Sequence, residues 1–389
     1  MAVIPIQYNL RSLMVRQVTS LTTALVISLV VMILFILSGF IAGLRATILG
    51  SAVEGDWIVL SRGTTSEPGS FITREQYEIL RSRPQIARDA QGRELISPEI
   101  VTGFNPAPDK PFDQIILTFL RGVYPAAFEV HRGMRVEQGR WPATGAAEFA
   151  VGRKLAARFP NLRPGTNFRF GRRAWTIVGI FSDSDSARES EVITDLNVLA
   201  QDVHYTDGFA VVHVALSPGS FASFAQSLTT DARLRVDALS EADFYADQTK
   251  FVDQLRKLGL AVALLLAVGT VFGAMNTMYA AVARRTGEIG VLRALGFNRF
   301  DILLSFVAES LMLGLAGGIL GEILGLIVAY AVGLRSQLMN VGGFIFSFRL
   351  PPSAFLSGLA AAALIGVAGG LLPAWRASRI SVIESLRAI

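Results

Sequence analysis

Four apolar runs decide what this chain can fold into. Val18 to Leu44, Leu258 to Ala283 and Ala354 to Pro373 carry no charged residue, and Ile302 to Leu334 carries only Glu309 and Glu322. At about 1.5 Å of rise per residue, each is long enough to cross a hydrocarbon core of roughly 30 Å as a helix. A composition that is 51% hydrophobic and only 17% charged points the same way and argues against an ordinary soluble protein. The first run has a signal peptide as its alternative. It is too long for one and shows no small-residue cleavage site near its end, so it reads as an uncleaved anchor. Residues 45–250 are polar and mixed, which gives the order of one helix, a large soluble domain and then three helices.

Orientation follows from the short flanks, because cytoplasmic flanks retain arginine and lysine. Arg11 and Arg16 precede the first span, Arg284, Arg285, Arg293 and Arg299 separate the second from the third, and Arg376, Arg379 and Arg387 follow the fourth. The loop from Arg335 to Pro352 holds only two arginines. Both ends therefore face the cytoplasm, and the large domain lies outside. The net charge of +5 is read as these flanks and not as a nucleic-acid surface. The expected divisions are an amphipathic interfacial helix over 1–17 with Ile6, Leu10, Leu13 and Met14 on one face, spans at 18–44, 251–283, 302–334 and 354–375, an outer domain over 45–250, a cytoplasmic strip over 284–301, an outer loop over 335–353 and a cytoplasmic tail over 376–389.

Helices in lipid gain little from apolar contact, so close backbone approach through small residues has to hold them together. Gly269 and Gly273, Gly317, Gly321 and Gly325, and Gly366 and Gly370 supply that spacing. Glu309 and Glu322 are costly in hydrocarbon and are functional candidates for that reason. Helical rise from Asp301 puts them about 10 and 30 Å along the third span, near interfaces and on different faces. A structural pairing, a part in conformational change and a proton relay all remain open for them.

The outer domain reads as α+β. Its "FAVGRKLAARF" has helical spacing, "NFRF" and "AWTIVGIF" read as strands, and "GFAVVHVALS", "PGSFASFAQSLTTDA" and "RLRVDALS" make a strand, helix, strand unit. A mixed part drawn from both ends of the domain and a β-rich part over about residues 130–200 are expected. "SDSDSARESE" reads as a hydrated surface loop and not a calcium loop, since no glycine or placed bidentate carboxylate completes that pattern. His131, His204 and His213 match no zinc spacing, and the absence of cysteine excludes disulfides and thiolate sites, so no metal is assigned. "EADFYADQTKFVDQLRKLGL" is helical and runs straight into the second span as a rod.

The strip "ARRTGEIGVLRALGFNRFDI" places Ile289, Leu292 and Leu295 on one stripe, with Arg284, Arg285, Glu288 and Arg293 as charges. Gly296 suits a helix end and Asn298 with Asp301 a capping box, so the chain runs along the membrane surface and re-enters. The residues alone leave two readings, a polar connector and a helix that docks into a soluble partner.

The stretch "NTMYAAVARRTGEIGVLRALGFNRFDILLSFVAESLMLGLAGGILGEILG", the closing "GGLLPAWRASRISVIESLRAI" and the outer "LRGVYPAAFEV", "GRWPATGAAEFAVGRKLA" and "WTIVGIF" resemble permeases of the MacB and FtsX type, which include LolC and LolE. The resemblance implies four transmembrane helices with a porter-like mixed part and a smaller β-rich part outside, in a bacterial inner membrane. It implies a homodimer or a paralogous partner, and a coupling helix from Arg284 to Gly296 seated in a cytoplasmic ABC ATPase dimer that holds ATP and Mg. A periplasmic adaptor and an outer-membrane channel are optional further partners, and membrane lipid is the surrounding one. The sequence contains no G-x-x-x-x-G-K-[ST] phosphate loop, so the ATPase is expected on a separate chain. Glu322 stands where the family pattern leads one to expect a small or apolar residue. The function expected is export or extraction of a lipid, lipoprotein, peptide or hydrophobic compound by transmitted motion. Its competitor is an FtsX-like device that activates an outer hydrolase. Neither G-x-S-x-G nor H-E-x-x-H is present, so no catalytic residue is assigned.

Overall fold

The computed structural model describes residues 17–53, 55–108, 117–205, 207–332 and 338–380. The interfacial helix expected over 1–17 lies outside the described residues but for Gln17, as does the end of the tail. In chain order the helices are α1 (Gln17–Leu49), α2 (Arg74–Arg81), α3 (Ala127–Val130), α4 (Arg153–Arg158), α5 (Leu196–Asp202), α6 (Phe221–Thr230), α7 (Glu241–Arg284), α8 (Thr286–Ala294), α9 (Arg299–Ala331) and α10 (Pro352–Ser378). The strands are β1 (Asp56–Ser61), β2 (Ile72–Thr73), β3 (Ile96–Phe104), β4 (Thr118–Val123), β5 (Arg135–Gly139), β6 (Glu148–Gly152), β7 (Asn167–Phe170), β8 (Arg173–Ser182), β9 (Val192–Asp195), β10 (Gly208–Phe209), β11 (Val211–Ala215), β12 (Val236–Ser240), β13 (Met339–Val341) and β14 (Phe344–Phe346). The chain divides into two compact units, one of residues 1–42, 253–335 and 349–389, the other of residues 43–252 and 336–348.

The first unit is the helical one. Helices α1, α7, α9 and α10 are each long and apolar enough to cross a membrane. Arg45 ends the first apolar run but not the helix, which continues to Leu49, just before Gly50. The glycines divide by partner. On α9, a Cβ at Gly317 would come within 2.9 Å of the Ala24 carbonyl oxygen of α1, and one at Gly325 within 2.8 Å of the Phe35 ring; Gly321 meets Ser28 and Val31 of the same helix. Gly366 of α10 opposes Gly314 of α9, and Gly370 lies against Ser310. Side chains there would force the helices apart, which is how small residues substitute for a hydrophobic drive in lipid. Gly269 and Gly273 on α7 differ: among the described residues no atom outside the glycine's own surroundings lies within 4 Å of the Cβ each lacks.

The second unit is built on a ten-stranded mixed sheet of order β12-β1-β11-β3-β4-β9-β6-β8-β5, with β7 also paired to β8. Strand β3 joins its halves: residues Ile96 to Glu99 pair with β11 and Ile100 to Phe104 pair with β4. On the first side, α2 and α6 supply Leu80, Phe224 and Leu228 to a core with Val59, Val212 and Val236. On the second, Phe104, Phe149, Trp175 and Leu196 form another, with the Phe149 and Trp175 rings stacked 4.5 Å apart. The helix expected over "FAVGRKLAARF" is corrected here. Its first residues are strand β6, paired with both β8 and β9, and only Arg153–Arg158 is helical. Central pairing overrides the local spacing because Phe149 and Val151 fill the core. The hairpin of β13 and β14 belongs to this unit too, with the Ile345 amide donating to Ser190 Oγ at 2.8 Å.

Candidate functional site

In the helical unit the strip is a short helix with defined ends. Beyond α8 the Phe297 amide donates to the Leu292 carbonyl at 3.2 Å and the Gly296 amide to the Arg293 carbonyl at 3.2 Å. Gly296 has φ +98, the left-handed geometry such a C-terminal motif requires. Asn298 and Asp301 form the reciprocal capping box that opens α9. The turn from the strip helix into α9 is therefore fixed by local hydrogen bonds on both its sides.

Its side chains separate into an inner and an outer set. Ile289 is buried with Val282, Ile302, Phe306 and Ala374, and Leu292 packs partly against them. Arg285 is also buried. It donates from Nε to Glu288 at 2.9 Å and from Nη1 to Glu309 of α9 at 2.9 Å, with its guanidinium 5.3 Å from the Phe306 ring centroid. Arg285 thus belongs to the internal packing and not to an outward surface, and Glu309 is a partnered carboxylate. Arg293 is half-buried and reaches the Ser378 carbonyl at the end of α10. Arg284, Glu288, Val291 and Leu295 remain exposed, Leu295 at 72%, and Phe300 beside them at 66%. Val291 and Phe300 carry the outward apolar surface together with Leu295, a division that spacing alone does not show.

Glu322 is buried on α9 against α10, where a Cβ on Gly358 would lie 2.8 Å from its Oε1. That oxygen has no hydrogen-bond partner among the described residues.

The second unit contains a group of buried charges that spacing gave no hint of. Arg121 on β4 is fully buried and contacts three carboxylates: Glu67 at 2.5 Å, Glu99 at 2.6 Å and Glu191 at 2.6 Å. Arg188 pairs with Glu241 at 2.8 Å and lies 3.6 Å from Asp183. His213 on β11 contacts Glu241 through Nδ1 at 2.9 Å, and His131, which closes α3, contacts Glu99 through Nε2 at 2.8 Å. His204 is exposed. Burial alone would raise the Glu99 pKa, but His213, His131 and Arg121 outweigh it and hold the carboxyl well below its ordinary value. Glu241 is likewise pulled down against its burial by Arg188 and His213. Burial lifts Glu191, which Arg121 only partly opposes.

The stretch read as a hydrated surface loop is part of this interior, which corrects that expectation. Asp183, Ser186, Arg188, Glu189 and Glu191 are all buried. Glu189 accepts from the Asp183 and Asp185 amides at 2.9 Å each, and Lys154 donates to the Asp185 carbonyl at 2.6 Å. Charged sequence reads as solvated when the partners sit far away in the chain, as Lys154 and Glu241 do here. Beside Arg121, Glu67 and Glu191 opens a cavity of about 260 Å³ whose apolar walls include Phe119, Phe244 and Phe344.

Four membrane-length helices in one unit, a mixed sheet in the other and a capped surface helix between two of the spans define a multi-pass membrane protein of permease type, with its large domain periplasmic. Residues 20–230 match the MacB-like periplasmic core domain and residues 260–382 the FtsX-like permease C-terminal domain. The chain belongs to the MacB and FtsX type of ABC transporter permeases. It is 39% identical over 134 residues to the macrolide export ATP-binding/permease protein MacB of Bdellovibrio bacteriovorus, covering 33% of this chain and 19% of that protein. It is 26% identical over 262 residues to the pyoverdine export ATP-binding/permease protein PvdT of Pseudomonas putida, covering 63% and 38%. The chain thus spans less than two fifths of the length of these relatives. The crystal structure of the periplasmic region of MacB from Actinobacillus actinomycetemcomitans aligns over 51% of this chain and 94% of that one, at 13% identity and a TM-score of 0.37.

Proposed function

We propose that this chain is the permease part of an ABC export system, driven by a cytoplasmic ATPase dimer on a separate chain. Closure of that dimer on ATP pushes the helix Thr286–Ala294, and α7, which runs unbroken for 44 residues from Glu241 to Arg284, carries the push to the outer domain. Work is done on a lipid, lipoprotein, peptide or hydrophobic compound at the outer face, which requires no broad hydrophilic pore. The observation that carries the reading is the division of the strip. Arg285 and Ile289 bind it to the bundle, while Leu295, Val291 and Phe300 with Arg284 and Glu288 face outward, as a docking surface requires. Relatives whose names state macrolide and pyoverdine export support the export side. Gly269 and Gly273, open on α7, suit a second permease copy.

The test uses Glu288→Arg with Leu295→Asp, two exposed positions, in the full chain co-expressed with the candidate ATPase. The expected result is loss of copurification and of permease-stimulated ATP hydrolysis by at least 10-fold, with normal membrane insertion. Unchanged copurification and hydrolysis would contradict the docking claim.

A further inference from the structure

Glu99, His131 and His213 converge in the outer domain, each fully buried, with one ligand atom from each within 4.8 Å of the others. Glu241 Oε1 already accepts from Arg188 Nη2 at 2.8 Å, so in its 2.9 Å contact with His213 the carboxylate oxygen accepts and Nδ1 is the donor. That bond turns Nε2 toward Glu99 at 3.8 Å and Glu67 at 3.9 Å, with no hydrogen-bond partner of its own. A buried ring nitrogen facing two carboxylate oxygens at that distance calls for positive charge at that point, supplied by its own proton or by a metal ion in the proton's place.

Carboxylates also outnumber guanidiniums around these side chains. Five buried carboxylates, Glu67, Glu99, Asp183, Glu191 and Glu241, share the guanidiniums of Arg121 and Arg188. An imidazole that donates from one nitrogen to a carboxylate while presenting the other to acceptors is also the arrangement that orients metal-binding histidines. Two imidazoles with a carboxylate are a donor set that four-coordinate zinc-class ions accept.

We propose that Glu99, His131 and His213 bind a divalent transition-metal ion of the zinc class, with Glu67 as an available fourth donor and Glu241 orienting His213 from behind. Tetrahedral bonds of about 2.0–2.1 Å space ligand atoms roughly 3.3 Å apart, so the three side chains need only small rotations to close on an ion. The ion takes the place of a proton on His213 Nε2, which leaves to solvent, and the His131 Nε2 proton now facing Glu99 moves to Nδ1 of the same ring, so both imidazoles coordinate as neutral ligands; no redox change is involved. Its ligands come from β3, from the end of α3 and from β11, and Glu241 is the first residue of α7. Occupancy fastens the centre of the sheet to the start of the long helix. The proposal stands whether or not the chain is an exporter, since it rests on the interior of the outer domain.

The test uses the full chain in detergent, purified without a polyhistidine tag, stripped with EDTA and titrated with Co²⁺ and then Zn²⁺. The expected result is one Co²⁺ per chain with the intense visible absorption of a four-coordinate site, displaced by Zn²⁺. His131→Gln and His213→Gln should each weaken affinity more than 100-fold. Glu241→Gln should weaken it about 10–100-fold, and Asp237→Asn, on the edge strand β12, should leave it unchanged. If the histidine variants misfold, zinc X-ray absorption on the wild-type chain decides, with two imidazole nitrogens expected. Absence of a stoichiometric ion in the wild type, a zinc shell without imidazole, or equal affinity in folded histidine variants would overturn the proposal.

Discussion

The helical unit and the outer domain solve burial in opposite ways. In the helical unit, close contact is made by glycine against backbone, and the acid Glu309 is joined to the guanidinium of Arg285. In the outer domain, the fold gathers carboxylates, guanidiniums and imidazoles around the junction of β3 with its two neighbours. The difference follows from the solvent each unit leaves. Lipid offers apolar groups nothing to escape from, so backbone approach is what remains. Water gives the outer domain a hydrophobic core, and a charge network inside it is tolerated only where each charge finds a partner.

The comparison breaks most sharply at Arg121. Arg121→Met leaves Glu67, Glu99 and Glu191 without their guanidinium, and breaking such a buried set costs about 3–5 kcal/mol. Thermal unfolding followed by tryptophan fluorescence, with Trp57, Trp141 and Trp175 all in the outer domain, should show its transition lowered or lost. Arg285→Met, which withdraws a guanidinium from one intramembrane carboxylate and not three, should cost less. An equal or greater loss in Arg285→Met would contradict the contrast.

Next in size are the glycines. Gly317→Leu pushes a side chain into α1 where a Cβ already meets the Ala24 carbonyl at 2.9 Å, and overpacking of this kind costs about 1–3 kcal/mol. Gly269→Leu has open space and should leave the fold of the single chain intact while weakening any dimer, measured by crosslinking in membranes. If both substitutions destabilise the bundle alike, the assignment of separate partners to the two glycine sets is wrong.

The smallest effect is at Asp56, whose Oδ2 has no hydrogen-bond partner and whose pKa is pushed up to about 6, by burial first and then by Glu241, against Arg132, His213 and Arg188. The folded state holds this proton more tightly than the unfolded chain. The stabilisation is therefore full below the ordinary value of 3.8 and is lost as pH rises through about 6. Asp56→Asn removes the cost of the buried anion, worth ~1 kcal/mol after discounting for solvent screening. The variant should unfold at a higher temperature than wild type at pH 7.5, with a gain that shrinks as pH falls from about 6 toward the ordinary value of 3.8; a gain of undiminished size at the low end of that window would exclude Asp56 as the source.

Much of this architecture was legible because membrane helices write themselves as length and apolarity, and caps as single residues such as Gly296 and Asn298. The α+β character of the outer domain was legible from alternating strands in the same way. The interior of that domain was not. His131 and His213 are close only because α3 and β11 both lie against β3, and "SDSDSARESE" looks solvated until Lys154, Arg153 and Glu241 arrive from elsewhere in the chain. Within the strip, periodicity assigned Ile289, Leu292 and Leu295 to one stripe, but packing against α9 and α10 takes the first inward and leaves the last outside.

The central claim is that α7 transmits motion as a rigid rod, and breaking the rod tests it most directly. The sequence has no cysteine, so Ser223→Cys on the exposed side of α6 gives a single fluorophore site in the outer domain. In the complex with its ATPase, the signal should change on adding ATP. Insertion of four glycines after Asp253, between the soluble and apolar parts of α7, should abolish that change while hydrolysis continues. A fluorophore response of undiminished size in the glycine-broken chain would contradict transmission through this helix.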